Sequence, residues 1–391
     1  LWLFAAAGAW LAAAVLYRRD EMAAVFHGLA TIGIGFLVAA YCHAQSWGRD
    51  WWADPRHLQC QWTTLAAWCG AWSVGRRLLV GRQWPRQLLG PQWLAVNEAI
   101  LALALLGVMI LALTASAPGV AVELGFRDTL TAGATHGFSY AGGSGVCLTL
   151  LLAAVLAQLW NRLSTEGAVE LLVAAAAVPL LIAPHWEAAH ATASALRWAF
   201  AGYALVTALG VWMRASLASG VQQARWLGWD RIPVPLGSVA REAALLIGGV
   251  PIVLLTTIVA ARRLGGLSVG VVGADSVFGW MGTTVSYAVP LLVLVAILVG
   301  HAIRERNTVY TLAGSVLLQY VACLAYALQA SPTSPGFLAG LLQWNAVALG
   351  GYAWVWLGLQ RWMQPVPTGE GVSGEAFRTG DGAFAVQLAA T

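Results

Sequence analysis

Long apolar stretches of about twenty residues alternate with short polar punctuation from one end of the chain to the other. Helices that cross a bilayer need about 20 apolar residues, because hydrocarbon offers the peptide groups no partner outside the helix. The pattern predicts spans near 2–17, 22–44, 58–79, 95–115, 141–160, 168–184, 191–213, 242–261, 284–303, 308–330 and 337–361. The most polar of these is 58–79, with Gln59, Gln61, Thr63, Thr64 and Ser73. The fold class expected is therefore all-α: a polytopic transmembrane helix bundle of about eleven spans.

The polar punctuation repeats. Asn97-Glu98-Ala99 opens the fourth stretch and Arg241-Glu242-Ala243 the eighth, 144 residues later. Asp128-Thr129 with Ser139-Tyr140 and Asp275-Ser276 with Ser286-Tyr287 are both offset by 147. Gln61-Trp62, Arg197-Trp198 and Gln343-Trp344 recur near the outer ends of the third, seventh and eleventh stretches. These offsets predict parallel four-helix repeats of roughly 145 residues, since an even number of spans returns each copy in the same orientation. The expected divisions are 1–116 for the first repeat, 117–262 for the second, 263–364 for a partial third and 365–391 for a Gly-rich, polar cytoplasmic tail.

Composition agrees with a lipid environment. Of 391 residues, 59% are hydrophobic and 10% charged, against about 25% charged in soluble domains. The net charge of +4 offers no nucleic-acid surface. All 21 basic side chains other than histidine are Arg, and the 21 Trp suit an aromatic belt at the two membrane surfaces. The Arg distribution sets orientation. Fifteen fall on the side of the first connection and five on the other, with Arg197 inside a span. The positive-inside rule then puts the N-terminus outside and the C-terminus in the cytoplasm, with the cell membrane, a bacterial inner membrane, as the expected location. A chain that starts at Leu1 inside an apolar run reads as an excerpt or a processed product. Cys42, Cys60, Cys69, Cys147 and Cys323 form no CxxC and read as small core hydrophobes.

Few residues carry candidate chemistry. Arg197 is the one basic residue within a span, and an intramembrane Arg is a functional candidate by default. It lies within two turns of the outer end, so it can reach the surface, with Glu187 as the expected partner; salt bridge, headgroup contact and substrate binding are its three readings. His185, Glu187 and His190 form an outer-loop cluster, but the five-residue His spacing is not that of HExxH, and no metal site is expected. Glu98 and Glu242 read as structural acids at helix starts, where the dipole and free N–H groups stabilise a carboxylate. His27 reads as a hydrogen-bonded core histidine, with pigment ligation as its alternative. Asp128 and Asp275 suggest caps followed by short interfacial helices. Gln319 is one of few polar groups at mid-span, where no acid falls. A coupled transporter usually keeps an acid there.

There is no P-loop, no G-x-S-x-G and no acidic pair in an outer loop. The leading expectation is a non-catalytic membrane scaffold or structural segment of a larger assembly, in contact with membrane lipids and other membrane subunits. The alternative is a transporter or channel for a neutral or amphiphilic solute. A third reading is a membrane-embedded transferase using Arg197, His185, Glu187 and His190. No cofactor is assigned.

Overall fold

The computed structural model describes residues 2–45, 55–79, 87–126, 141–161, 165–186, 191–220, 234–267, 276–305, 307–330 and 334–363. Among the described residues the regular structure is helical throughout: α1 (Trp2–Tyr17), α2 (Asp20–His43), α3 (Pro55–Leu79), α4 (Pro91–Glu123), α5 (Ala141–Asn161), α6 (Thr165–Trp186), α7 (Thr192–Gly220), α8 (Val234–Leu264), α9 (Val277–Met281), α10 (Thr283–Glu305), α11 (Thr308–Gln329) and α12 (Phe337–Met363). Six helical segments among the described residues are long and apolar enough to cross a membrane: Asp20–His43, Pro91–Glu123, Thr192–Trp212, Val239–Leu264, Thr283–Arg304 and Val309–Gln329. Three further apolar segments, Trp2–Tyr17, Gly145–Leu159 and Ala168–Ala183, are shorter.

The helix ends follow from local chemistry. Pro opens α3 and α4, where its missing N–H is no loss. Arg18 takes a left-handed turn (φ 53°) between α1 and α2, and Asp20 and Glu21 occupy the first turn of α2. Asn307 caps α11 by accepting from the Val309 N–H at 2.9 Å. A short helix, α9, follows Asp275 as expected, but its N-cap is Ser276 rather than Asp275: the Ser276 hydroxyl accepts from the Gly279 N–H at 2.9 Å. Within the long helices, hydroxyls return to their own backbone: Thr64 donates to the Cys60 carbonyl, Thr207 to Tyr203 and Thr256 to Ile252. Such bonds let a polar side chain sit in an apolar helix without an unmet donor.

The chain divides into two compact units. The first comprises Leu1–Val122, Arg127–Thr192 and Gly210–Ile247; the second comprises Glu123–Phe126, Ala193–Leu209 and Gly248–Thr391. In the first unit α1 packs on α2, α2 on α3, α3 on α5 and α5 on α6. The α3–α5 approach is close because Gly70 lies against Ala154, where an added Cβ would come within 3.2 Å. Gly107 of α4 has no room for any side chain, since the Trp62 ring occupies the place of its Cβ. Close backbone approach at small residues is how helices associate where lipid supplies no hydrophobic drive. In the second unit α9 packs on α10, α10 on α11 and α11 on α12. Tyr352 of α12 there donates to the Thr311 carbonyl at 2.7 Å.

Large apolar side chains face outward on many helices, among them Phe36, Leu106, Val206, Leu254 and Leu292. Exposed patches of this extent mark a surface that meets lipid or protein rather than water. The five cysteines are all free thiols, with Cys42, Cys69 and Cys147 buried.

Candidate functional site

Two buried polar clusters stand out, one in each unit. In the first unit, four helices contribute to a single hydrogen-bonded lattice. His27 of α2 sits at 0% exposure, and its Nε2 lies 3.1 Å from Asn97 Oδ1 of α4. The Asn97 amide donates from Nδ2 to Ser73 Oγ of α3 and to Gln158 Oε1 of α5, each at 3.0 Å. Ser73 donates in turn to Gln158 Oε1 at 2.9 Å, and Gln158 Nε2 reaches Glu98 Oε1 at 3.4 Å.

The pattern of donors fixes the rest. Because Asn97 uses Nδ2 for Ser73 and Gln158, its Oδ1 can only accept, so His27 carries the proton on Nε2. The bonds therefore run in one direction, from the His27 N–H through Asn97, Ser73 and Gln158 to the Glu98 carboxylate. Aligned bonds of this kind polarise one another in a low dielectric.

Three tryptophans enclose the imidazole: Trp68 is stacked at 5.8 Å between centroids, Trp72 lies edge-on at 5.9 Å and Trp93 tilts at 5.2 Å. Trp68 also donates to Thr31 Oγ1 at 3.1 Å, while Thr31 donates to the His27 carbonyl at 2.7 Å. His27 Nδ1 and Trp93 Nε1 are buried without a hydrogen-bond partner. The lattice joins α2, α3, α4 and α5 with side chains alone, and it makes His27 a hydrogen-bonded core histidine.

In the second unit the cluster centres on Ser194, in the first turn of α7. Its backbone N–H donates to both oxygens of Glu123 at 3.1 and 3.0 Å, and its hydroxyl donates to Glu123 Oε1. That hydroxyl accepts from Arg197 Nη2 at 2.8 Å. Ser194 thus stands between a carboxylate at 1% exposure and a guanidinium at 0%. One face of the guanidinium is covered by the Tyr287 ring of α10, 3.4 Å from Cζ to the centroid. A cation over an aromatic face gains about 0.5–2 kcal/mol, and more when desolvated. Arg197 Nε and Nη1 are buried with no partner, and an unmet buried donor costs about 1–3 kcal/mol. Ser286 Oγ, next in the chain to Tyr287, is likewise buried and unpartnered.

Several expectations change against this geometry. Arg197 is wholly buried, and among the described residues the carboxylate it shares Ser194 with is Glu123. The physical reason is that α4 runs on to residue 123, eight beyond the expected end, and delivers an acid to the start of α7. Glu187 and His190 lie outside the described residues, as do Asp128, Ser139, Tyr140 and Asp275; of His185 only the helical backbone is described. Glu98 and Glu242 are not in first turns. Their helices open at Pro91 and Val234, leaving each acid about two turns inside, where the backbone N–H groups are already bonded. Glu98 instead accepts from Gln158, and Glu242, exposed, lies 3.7 Å from Arg241. Gln319 is exposed on α11 and joins neither cluster. Among the described residues no three His, Cys, Asp or Glu side chains converge as metal ligands would.

Glu123, Ser194, Ser73 and Gln158 were not singled out by the sequence. A Ser or Gln inside an apolar run gives no sign of which helix it will meet. Compared with known proteins, the chain matches no family model, no curated protein and no solved structure.

Proposed function

We propose that the chain is a non-catalytic integral membrane scaffold, a structural subunit or segment of a larger membrane assembly. The observation that carries this is the His27–Asn97–Ser73–Gln158 lattice. Its polar side chains bond to one another across four helices, which is what a rigid framework needs and what a solute path would have to break. In this reading the chain crosses the membrane about eleven times in parallel four-helix repeats. The Arg-rich side and C-terminus are cytoplasmic and the N-terminus is outside, as in a bacterial inner-membrane protein. The outward apolar side chains, such as Phe36 and Leu106, would meet lipid and partner helices.

Crosslinking in native membranes, purification and mass spectrometry of the copurifying chains test this. A fixed set of membrane subunits in constant ratio is expected. Isolated protein that moves a neutral or amphiphilic solute across liposomes would overturn it.

A further inference from the structure

We propose that α11 pairs with α11 of a second copy of this chain in the bilayer, the Gln319 amides of the two copies hydrogen-bonded to each other. The inference rests on α11 crossing the membrane and holds for a framework or a carrier alike.

Depth comes first. Gln319 stands ten residues from each end of the apolar segment Val309–Gln329, about 15 Å along the helix in either direction. The hydrocarbon core is about 30 Å thick, so the amide lies at its middle, where a side chain of this length reaches neither surface. Gln319 is exposed, and among the described residues it has no hydrogen-bond partner. Hydrocarbon supplies none.

Neighbouring polar groups do not meet this need. Thr257 of α8 donates to the Val253 carbonyl at 2.7 Å, so its 3.0 Å contact with the Tyr320 hydroxyl takes the Tyr320 proton. Asn97 and Asn345 show the usual solution for an amide in these helices: the first donates to Gln158 at 3.0 Å and the second to the Leu341 carbonyl at 2.8 Å. Gln343 is exposed as well, but as the seventh residue of α12 it lies within two turns of that helix's start, near enough to reach the membrane surface. Gln319 is thus the amide that needs a partner from outside the described fold.

A second copy fits by symmetry and by chemistry. A two-fold axis along the membrane normal keeps every residue at its own depth, so Gln319 meets Gln319. A carboxamide both donates and accepts, so two of them close a reciprocal pair of hydrogen bonds with no charge. The exposed side chains one and two turns before it on the same face, Val316, Ala313 and Leu312, are uncharged, so nothing repels the copy. Interhelical bonds of this kind hold helices together where lipid gives no hydrophobic drive.

Full-length protein carrying one fluorescent tag is reconstituted in liposomes over a range of dilutions, and the copies in each spot are counted by photobleaching. Wild type should dimerise reversibly. Q319L should weaken pairing by at least about fivefold, the loss of two interhelical hydrogen bonds of average membrane strength. Q343L should leave it unchanged. A photoreactive benzoylphenylalanine in place of Val316, with Gln319 intact, should crosslink the chain to α11 of another copy in native membranes. Monomers at every dilution, dimers as tight in Q319L as in wild type, or crosslinks from position 316 only to a different protein each overturn the pairing. Solute movement by the same liposomes would overturn the scaffold reading and leave the pairing standing, whereas a monomeric chain with fixed partner subunits would do the reverse.

Discussion

Replacing Asn97 by Ala attacks the lattice at its centre. The substitution removes three side-chain hydrogen bonds of 3.0–3.1 Å, one to His27, one to Ser73 and one to Gln158. Side-chain hydrogen bonds between membrane helices average about 0.6 kcal/mol, because the separated helices find other partners, so three contribute about 2 kcal/mol. The imidazole is a separate matter. His27 Nδ1 is already unpartnered, so losing Asn97 leaves the buried ring with no partner at all, at about 1–3 kcal/mol more. Asn97→Ala should therefore destabilise the first unit by about 3–5 kcal/mol. Ser73→Ala should cost only about 1 kcal/mol, because Asn97 and Gln158 still bond to each other. The assay is reversible unfolding of purified protein in mixed micelles with increasing SDS, read by tryptophan fluorescence. Trp68, Trp72 and Trp93 surround His27 and report directly on the site. A loss under about 1 kcal/mol for Asn97→Ala, or a Ser73→Ala loss as large, would refute the reasoning.

Further outcomes follow from the same structure. Glu123→Gln and Arg197→Met should each destabilise the second unit by about 3 kcal/mol or more, because each leaves a buried charge without its counter-charge, and the double variant should cost less than the sum in the same unfolding assay. Gly107→Ala should lower stability by about 1–3 kcal/mol, with a changed emission from Trp62, since the new Cβ displaces that ring; Gly202→Ala, where nothing lies within 4 Å, should be neutral or stabilising. Reporter fusions placed after Gln45 and after Leu79 should show opposite sides of the membrane, the second cytoplasmic, if the Arg bias sets the topology.

The helices were legible in the sequence because a bilayer makes each one identifiable alone: apolar length and terminal Arg, Pro or Asp need no knowledge of neighbours. Pro91 shows where that reading falls short. It opens α4 in the polar stretch before the apolar run, and so moves Glu98 from a helix start to its second turn. The short helix after Asp275 was legible, since an Asp-Ser pair is a local cap signal. Packing partners were not. Arg197 announced itself as a charge within a span, but the carboxylate that Ser194 links to it, Glu123, looked like a loop residue beyond a span ending near 115. Asn97 was visible as one of the residues whose spacing predicts a repeat, whereas its bonds to three other helices depend on rotations that no local pattern encodes. Gly107 reads as one small residue among many until Trp62 is seen to fill its Cβ position.

The measurement that bears most directly on this account is the collision accessibility of single nitroxide labels in reconstituted bilayers, one each in place of Phe36, Leu106, Val206 and Leu292, all exposed apolar positions on apolar helices. Ready collision with dissolved oxygen and shielding from a water-soluble nickel chelate are expected at all four. Free access of the chelate to these labels would contradict it, because the faces would then meet water.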